Sequence, residues 1–527
     1  MGSSKIQEQS IRNDVKPGLE VEQNGIPQSE TIPVSKSRQA APQILAVAVK
    51  NLLLISFGST LGFSTILIPE LQKPNPEIEV TLEELTWISS MNLILVPVGC
   101  LGSGAISGYL GRKKTMMLAN GPFVLAWLVY HYAYNSTMLL CALAMTGLTG
   151  GMLEAPVLTY VAEITQPHLR GMLSATSTMA VITGIFLQML AGSLTTWRTV
   201  ALINIALPTM CFIALCMVPE SPHWLIEKGR MEEALKSLRW LRGWVKPAHV
   251  QIEYNDVCES IQKPVGQEAV SGNEKHWRHY TKRTFLVPFF IVCWAFFTGS
   301  FGGMAAMQTF AVFIFTELNT PIDKYKATVL LGGAELLGTC SCVILVHFTG
   351  KRKIALFSTI TTGVCFFIAG LYKFMLDRDS IVGNKYSWIP TYVLIGAAYL
   401  SHVGIRLLPW ILIGEVFSAK VRSGAAGAAG SFGYICVFIV NKVFLYMVNG
   451  MTLAGSFWFY SAIGFVGAFV MYFTLPETEG RTLREIEEHF AGIQDLKKRP
   501  RREELPFKEK WAASNPTPVV DDLESKL

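Results

Sequence analysis

Apolar residues in this chain come in long unbroken runs rather than at the spacing of an amphipathic surface helix. A helix needs about 20 apolar residues to cross a bilayer. Twelve runs have that character, near 44–68, 86–107, 115–134, 138–162, 172–193, 197–218, 284–315, 327–349, 353–374, 388–414, 425–448 and 453–475. They predict an all-α membrane protein of twelve transmembrane helices, spans 1 to 12 in that order. Polar stretches divide the chain further. Residues 1–43 read as a disordered tail, 44–218 as a first six-helix half and 219–283 as a linker. Residues 284–475 read as a second six-helix half and 476–527 as a polar tail. Composition agrees: 50% of residues are hydrophobic and 16% charged, against about 25% charged in soluble domains.

The two halves repeat one another. Glu163 ends an apolar run and Arg170 follows seven residues later; Glu415 and Arg422 do the same, 252 residues further on. Gly111-Arg112-Lys113 ends span 2 as Gly350-Lys351-Arg352 ends span 8, 239 residues apart. Pro219-Glu220-Ser221-Pro222 closes span 6 as Pro476-Glu477-Thr478-Glu479 closes span 12, 257 residues apart. Three features at nearly one offset mean internal duplication, two six-helix pseudo-repeats. A charged pair at equivalent helix ends points to paired gates between two states. The alternative is that the pairs only staple helix ends together.

Charge sets the orientation. Arg112, Lys113, Lys114, Lys351, Arg352, Lys353, Lys420, Arg422 and the basic 219–283 linker lie on one side. The loop after span 1 is acidic, with Glu70, Glu77, Glu79, Glu83 and Glu84 against Lys73. The positive-inside rule puts both termini in the cytosol. The net charge of +6 therefore reflects topology and implies no nucleic acid. Within the linker, residues 229–243 read as an amphipathic helix with Leu235, Leu238 and Leu241 on one face and Glu232 paired to Lys236. Asn135-Ser-Thr137 is a glycosylation sequon on the opposite side. The glycines of span 2 (Gly99, Gly102, Gly104, Gly108) are spaced for close helix approach; no βαβ unit surrounds them to make a dinucleotide loop. Ten cysteines sit mostly inside apolar runs at no ligand spacing, so neither a metal nor a disulfide framework is expected. No nucleotide-binding loop or catalytic constellation is present in the sequence, which argues against ATP drive, cofactors and enzyme activity.

Taken together, Gly111-Arg112-Lys113, Glu163…Pro167…Arg170-Gly171, Pro219-Glu220-Ser221-Pro222, Pro409-Trp410, Glu415…Arg422 and Pro476-Glu477-Thr478-Glu479-Gly480-Arg481 resemble the sugar porter family of the major facilitator superfamily. The resemblance runs over residues 44–490 and is similar in detail to the insect trehalose-transporter branch. It implies alternating access about a midplane site, facilitated transport of a sugar such as trehalose or a hexose, and a plasma-membrane location. It also implies that Arg112, Glu163, Arg170, Lys351, Arg352, Glu415 and Arg422 act at the inner gate. A partly desolvated charge-assisted bond there is worth roughly 1.5–3 kcal/mol, enough to bias two states and weak enough to break each cycle.

The family's sugar-binding positions fall on Thr178, Thr298, Met304, Glu335, His402, Arg406, Trp410 and Tyr434. Most of the neutral hydrogen-bonding groups that a polyol needs are replaced there, several of them by ionisable residues. Charge inside a span usually pairs or lines a wet cavity. Glu335 and Arg406 are expected at the central cavity, bound to each other or to a polar solute. Proton-coupled relatives carry Asp where this chain has Ser64, which favours a facilitator, although Glu154 and Glu335 could carry protons. Three functional readings stay open: a sugar facilitator, a carrier of another polar or charged solute, and a non-transporting receptor. The oligomeric state is not legible.

Overall fold

A computed structural model of the chain describes residues 35–262, 283–378, 386–417, 421–481 and 483–493. The described residues are helical, with no strand among them. Spans 1, 3 and 5 are single helices, Lys36–Leu71, Arg112–Tyr132 and Pro167–Leu194. Span 2 is preceded by a short helix, Leu82–Ile88, and runs Met91–Leu110. Span 4 breaks between Met152 and Glu154, and span 6 between Asn204 and Ala206. Span 7 is in three pieces, Arg283–Phe301, Met304–Thr309 and Ala311–Glu317. Spans 8 and 9 are Lys324–Thr349 and Lys351–Asp377; span 10 is Trp388–Val403 and Leu408–Val416. Spans 11 and 12 form one helical run, Arg422–Thr474, reversed at Thr452 (φ 66°).

Among the described residues, ten helical stretches are long and apolar enough to cross a membrane. Span 3 falls outside them because Arg112, Lys113 and Lys114 open it and Asn120 and His131 interrupt it. Spans 11 and 12 count as one stretch, Gly424–Thr474. The twelve-span layout follows from these two readings.

The first helix begins at Lys36, inside the stretch expected to be tail. Hydrophobicity cannot show this, because polar contacts hold it. Ser35 Oγ accepts from the Arg38 amide, the Arg38 guanidinium donates to the Gly243 carbonyl, and fully buried Gln43 exchanges hydrogen bonds with Gln166 at 2.8 and 3.1 Å. The linker forms Pro222–Glu227, Met231–Leu241, a 3-10 turn at Pro247–His249, and Gln251–Gln262. The expected amphipathic helix is there, with Leu238 and Leu241 buried. Its surface pair differs from expectation: Arg230 bonds Glu233 at 2.6 Å, and no Glu232–Lys236 ion pair forms among the described residues. A last helix, Leu483–Ala491, seats Ile486 and Phe490 against Phe285 of span 7. The linker, the start of span 1 and this helix define the terminal face; the opposite side is the distal face.

The apolar core has an uneven shape. Toward the distal face one cluster runs through both halves, joining Phe63, Trp127 and Tyr130 to Phe310, Phe315 and Phe444. Toward the terminal face each half has its own: Met116, Ile164, Leu215 and Leu241 in the first, Phe285, Leu412, Leu475 and Phe490 in the second. Glycine contacts knit the spans within a half. A Cβ on Gly58 would lie 2.1 Å from the Val181 carbonyl of span 5, and one on Gly99 2.2 Å from Leu148 of span 4. The rest of the span 2 series does not serve this purpose. Gly104 and Gly108 face open space and Gly102 meets only its own helix, because the period of the series carries it around the helix away from span 4.

Candidate functional site

Two networks of matching design hold the terminal face. In the first half the chain turns at Gly111 (φ 101°), which leaves room for Glu220; both carboxylate oxygens of Glu220 accept from the Lys113 amide, at 2.9 and 3.1 Å. Arg112 pairs with Glu163 at 2.8 Å, and Ser221 donates its hydroxyl to the same carboxylate. In the second half the turn is Gly350 (φ 86°), and Glu477 accepts from the amides of Lys351 (2.9 Å) and Arg352 (3.2 Å). Lys351 pairs with Glu415 at 2.6 Å and Glu479 at 2.9 Å, and Thr478 donates to Glu415. The side chains of Arg112, Glu163 and Lys351 are 14%, 16% and 7% exposed, so water screens these pairs only in part.

The structure therefore gives Glu163 a partner other than the arginine seven residues on, and gives Glu415 a partner in Lys351. Arg170 is exposed and donates to the Thr165 carbonyl at 3.3 Å. Arg352 donates to the Tyr472 carbonyl and lies over that ring. Lys420 and the Arg422 side chain lie outside the described residues. Among the described residues every terminal-face ion pair stays inside one half. His223 sits beside the first network. Burial, together with the Arg170 and Arg112 charges, lowers its pKa below the usual histidine value, against the opposing pull of Glu163 and Glu253.

Contacts between halves gather on the distal side. Thr65 of span 1 donates to the Gln308 carbonyl of span 7 at 3.0 Å. Ser89 and Asn441 exchange hydrogen bonds with each other's main chain. Lys442 of span 11 donates to the Thr86 hydroxyl at 2.8 Å and stands 4.0 Å from the centre of the Trp87 ring. Tyr325 reaches Glu70 at 3.4 Å. Of these residues only Glu70 figures in the sequence reading, as part of the acidic loop; Lys442 offers a signal left unused there, a charge inside an apolar run. Lys50 carries the same signal: it is fully buried in span 1 and donates to Ser177 of span 5 at 2.6 Å. Asn135 caps span 4 by accepting from the Met138 amide at 2.9 Å.

The expected solute-site residues fall into three groups. Glu335 of span 8 is fully buried. One carboxylate oxygen accepts from Gln308 at 2.8 Å and the other has no hydrogen-bond partner. Arg406 lies in the non-helical break of span 10, half-buried, in electrostatic reach of both Glu335 and His402. It forms no ion pair among the described residues. His402 is buried; its Nδ1 lies 3.0 Å from the Ala398 carbonyl and its Nε2 has no hydrogen-bond partner among the described residues. Thr298 and Met304 belong to a second group, walling a small cavity with Thr359, Thr362, Ser401 and Ile405, all from the second half. Trp410 and Tyr434 form a third, with ring centroids 5.8 Å apart. Tyr434 packs against the first half's core in reach of Cys100 and Glu154. Thr178, half-buried on span 5, is brought to none of these groups and is next in sequence to the Lys50 partner Ser177. Gln308, the link between Glu335 and the distal joint, went unnoticed because a single amide in an apolar run carries no pattern.

Residues 45–490 match the family model described as "Sugar (and other) transporter". The facilitated trehalose transporter Tret1 of Bombyx mori is 28% identical over 462 residues, covering 87% of this chain and 89% of that one. The protein of the same name in Apis mellifera ligustica is 27% identical over 492 residues, covering 93% and 96%. The chain spans 56% of the longer Drosophila yakuba relative. In shape it is similar to the inward-open xylose transporter XylE from E. coli (TM-score 0.68, 18% identity, 84% of this chain and 98% of that one). It is also similar to the proton:xylose symporter XylE bound to 6-bromo-6-deoxy-D-glucose (TM-score 0.64, 19% identity, 86% and 100%). A twelve-span duplicated bundle, its paired terminal networks and a family match over most of its length lead to one assignment: the chain belongs to the sugar (and other) transporter family.

Proposed function

We propose that this chain is a facilitative carrier of a sugar, trehalose or a hexose first, working by alternating access between its two six-helix halves. The observation that carries the reading is the uneven core. Among the described residues the buried apolar cluster that runs through both halves lies on the distal side, while on the terminal side each half builds its own buried cluster and charge network, with Tyr434 reaching across to the first. Two stiff bodies joined along one face can part along the other and exchange those roles. On this reading Arg112, Glu163, Lys351 and Glu415 keep each half rigid at its terminal end, with Arg170, Arg352 and Arg422 around them. The solute meets Glu335, Arg406, His402, Trp410 and Tyr434 between the halves. The basic linker supports a cytosolic terminal face, and the relatives' printed names make trehalose the first solute to try.

The test is counterflow in proteoliposomes preloaded with unlabelled trehalose or glucose. Transient, saturable uptake of the labelled sugar above its equilibrium level is the expected result. Equal uptake in protein-free vesicles would reject the proposal.

A further inference from the structure

The group formed by Glu335, Arg406 and His402 holds more charge than a neutral sugar requires. Arg406 cannot lose its proton in a protein, so its positive charge is permanent. A cation near the bilayer centre costs several kcal/mol unless an anion compensates it. The groups in electrostatic reach of Arg406 are Glu335 and His402. Of these only Glu335 can offer a negative charge. Yet the two make no direct ion pair among the described residues, and one oxygen of the Glu335 carboxylate, itself fully buried, has no hydrogen-bond partner. The guanidinium and the carboxylate are left in electrostatic reach with a gap in their hydrogen bonding.

That gap has a consequence for cargo. A neutral sugar can enter with both charges in place. A solute bearing a carboxylate can pair with the guanidinium in the bidentate geometry that arginine favours. It then takes over the compensation that Glu335 supplied. A second buried anion beside it is disfavoured, so Glu335 takes up a proton. We propose that this site also accepts hydroxylated organic acids, sugar acids foremost, binding their carboxylate through Arg406 and carrying one proton on Glu335 for each anion moved. This rests on the reading of the chain as a carrier and adds a second class of cargo. The charge balance closes: loaded with acid, the site holds the anion, Arg406 and a neutral Glu335; empty, it holds Arg406 and ionised Glu335.

The groups facing Glu335 support that exchange. Span 10 presents Arg406, itself beside His402; span 7 presents the neutral Gln308; span 5 presents Phe186 and Met189 against the neighbouring Gly332 and Gly333. His402 sits beside a permanent cation and keeps its Nδ1 near the Ala398 carbonyl. Glu335 is therefore the acceptor for a proton at this site. Glu154, on the other half, is in reach of Tyr434 and Cys100.

The experiment uses the full chain in proteoliposomes with labelled glucuronate and labelled glucose. Glucuronate should exchange, and a one-unit pH difference, alkaline inside, should concentrate it up to about tenfold. Glucose should show no pH-driven accumulation. Glu335→Gln should abolish the pH-driven part, and Arg406→Gln should cut the glucuronate-to-glucose exchange ratio at least tenfold, with Arg406→Lys restoring part of it. The wild-type measurements decide even if a variant fails to fold. Glucose exchange without glucuronate exchange would overturn the inference and leave the carrier reading standing. Glucuronate exchange indifferent to pH would overturn the proton's part in it. Absence of both exchanges would defeat the inference together with the carrier reading.

Discussion

Glu163 shows what one residue can and cannot reveal. Its place at a helix end and its echo at Glu415 are written in the sequence. Its partner is not, because spacing along one chain says nothing of a third helix. Arg112 reaches it from the start of span 3, and Ser221 arrives from beyond span 6. Removing the negative charge, as in Glu163→Gln, leaves Arg112 unpaired at 14% exposure. A loss of roughly 1.5–3 kcal/mol in stability should follow, read as a lower midpoint of thermal unfolding in detergent. Arg170→Gln should have the smaller effect. His223 adds a pH dependence. Burial and its arginine neighbours favour the neutral ring in the fold, so the unfolded chain binds the proton first. Stability is then level above the ordinary histidine range and falls as pH drops through about 6.5 and below. Thermal unfolding between pH 7.5 and 5.5 should show the fall, and His223→Phe should flatten it.

Among helices, the sequence told more about existence than about faces. Twelve apolar runs became the bundle, and the amphipathic linker helix formed where its leucines placed it. The start of span 1 was missed because it is built from glutamines and an arginine that find partners only in the folded molecule. The glycine spacing of span 2 predicts a packing stripe, but of that series only Gly99 touches the next helix. Period gives a spacing; which side of the helix it faces comes from the neighbours. Two substitutions separate these cases. Gly58→Ala pushes a methyl into the Val181 carbonyl and should destabilise the first half by about 1–3 kcal/mol. Gly104→Ala, with nothing within 4 Å, should leave the unfolding midpoint unchanged or slightly raised.

For the whole molecule, the duplication was legible from three offsets. The joint between halves was not. Its members, Thr65, Thr86, Trp87, Ser89, Gln308, Asn441 and Lys442, are brought together from opposite ends of the chain. The Lys442–Trp87 contact, a cation over a ring, is worth about 0.5–2 kcal/mol. Trp87→Leu should shift the balance by that amount toward a distal-open form. A single cysteine placed at the distal rim in a cysteine-free background would report it as faster labelling from that side; unchanged labelling would mean the contact plays no part in closure.

The kind of bond on each face has one more effect. Among the described residues, charge–charge pairs lie within halves, while hydrogen bonds and a cation–ring contact lie between them. Dissolved salt weakens exposed attraction between opposite charges, and such attraction is scarce at the joint. The rocking motion should thus run at nearly the same pace in dilute and concentrated media, like an oar in a lock rather than a door on a magnet.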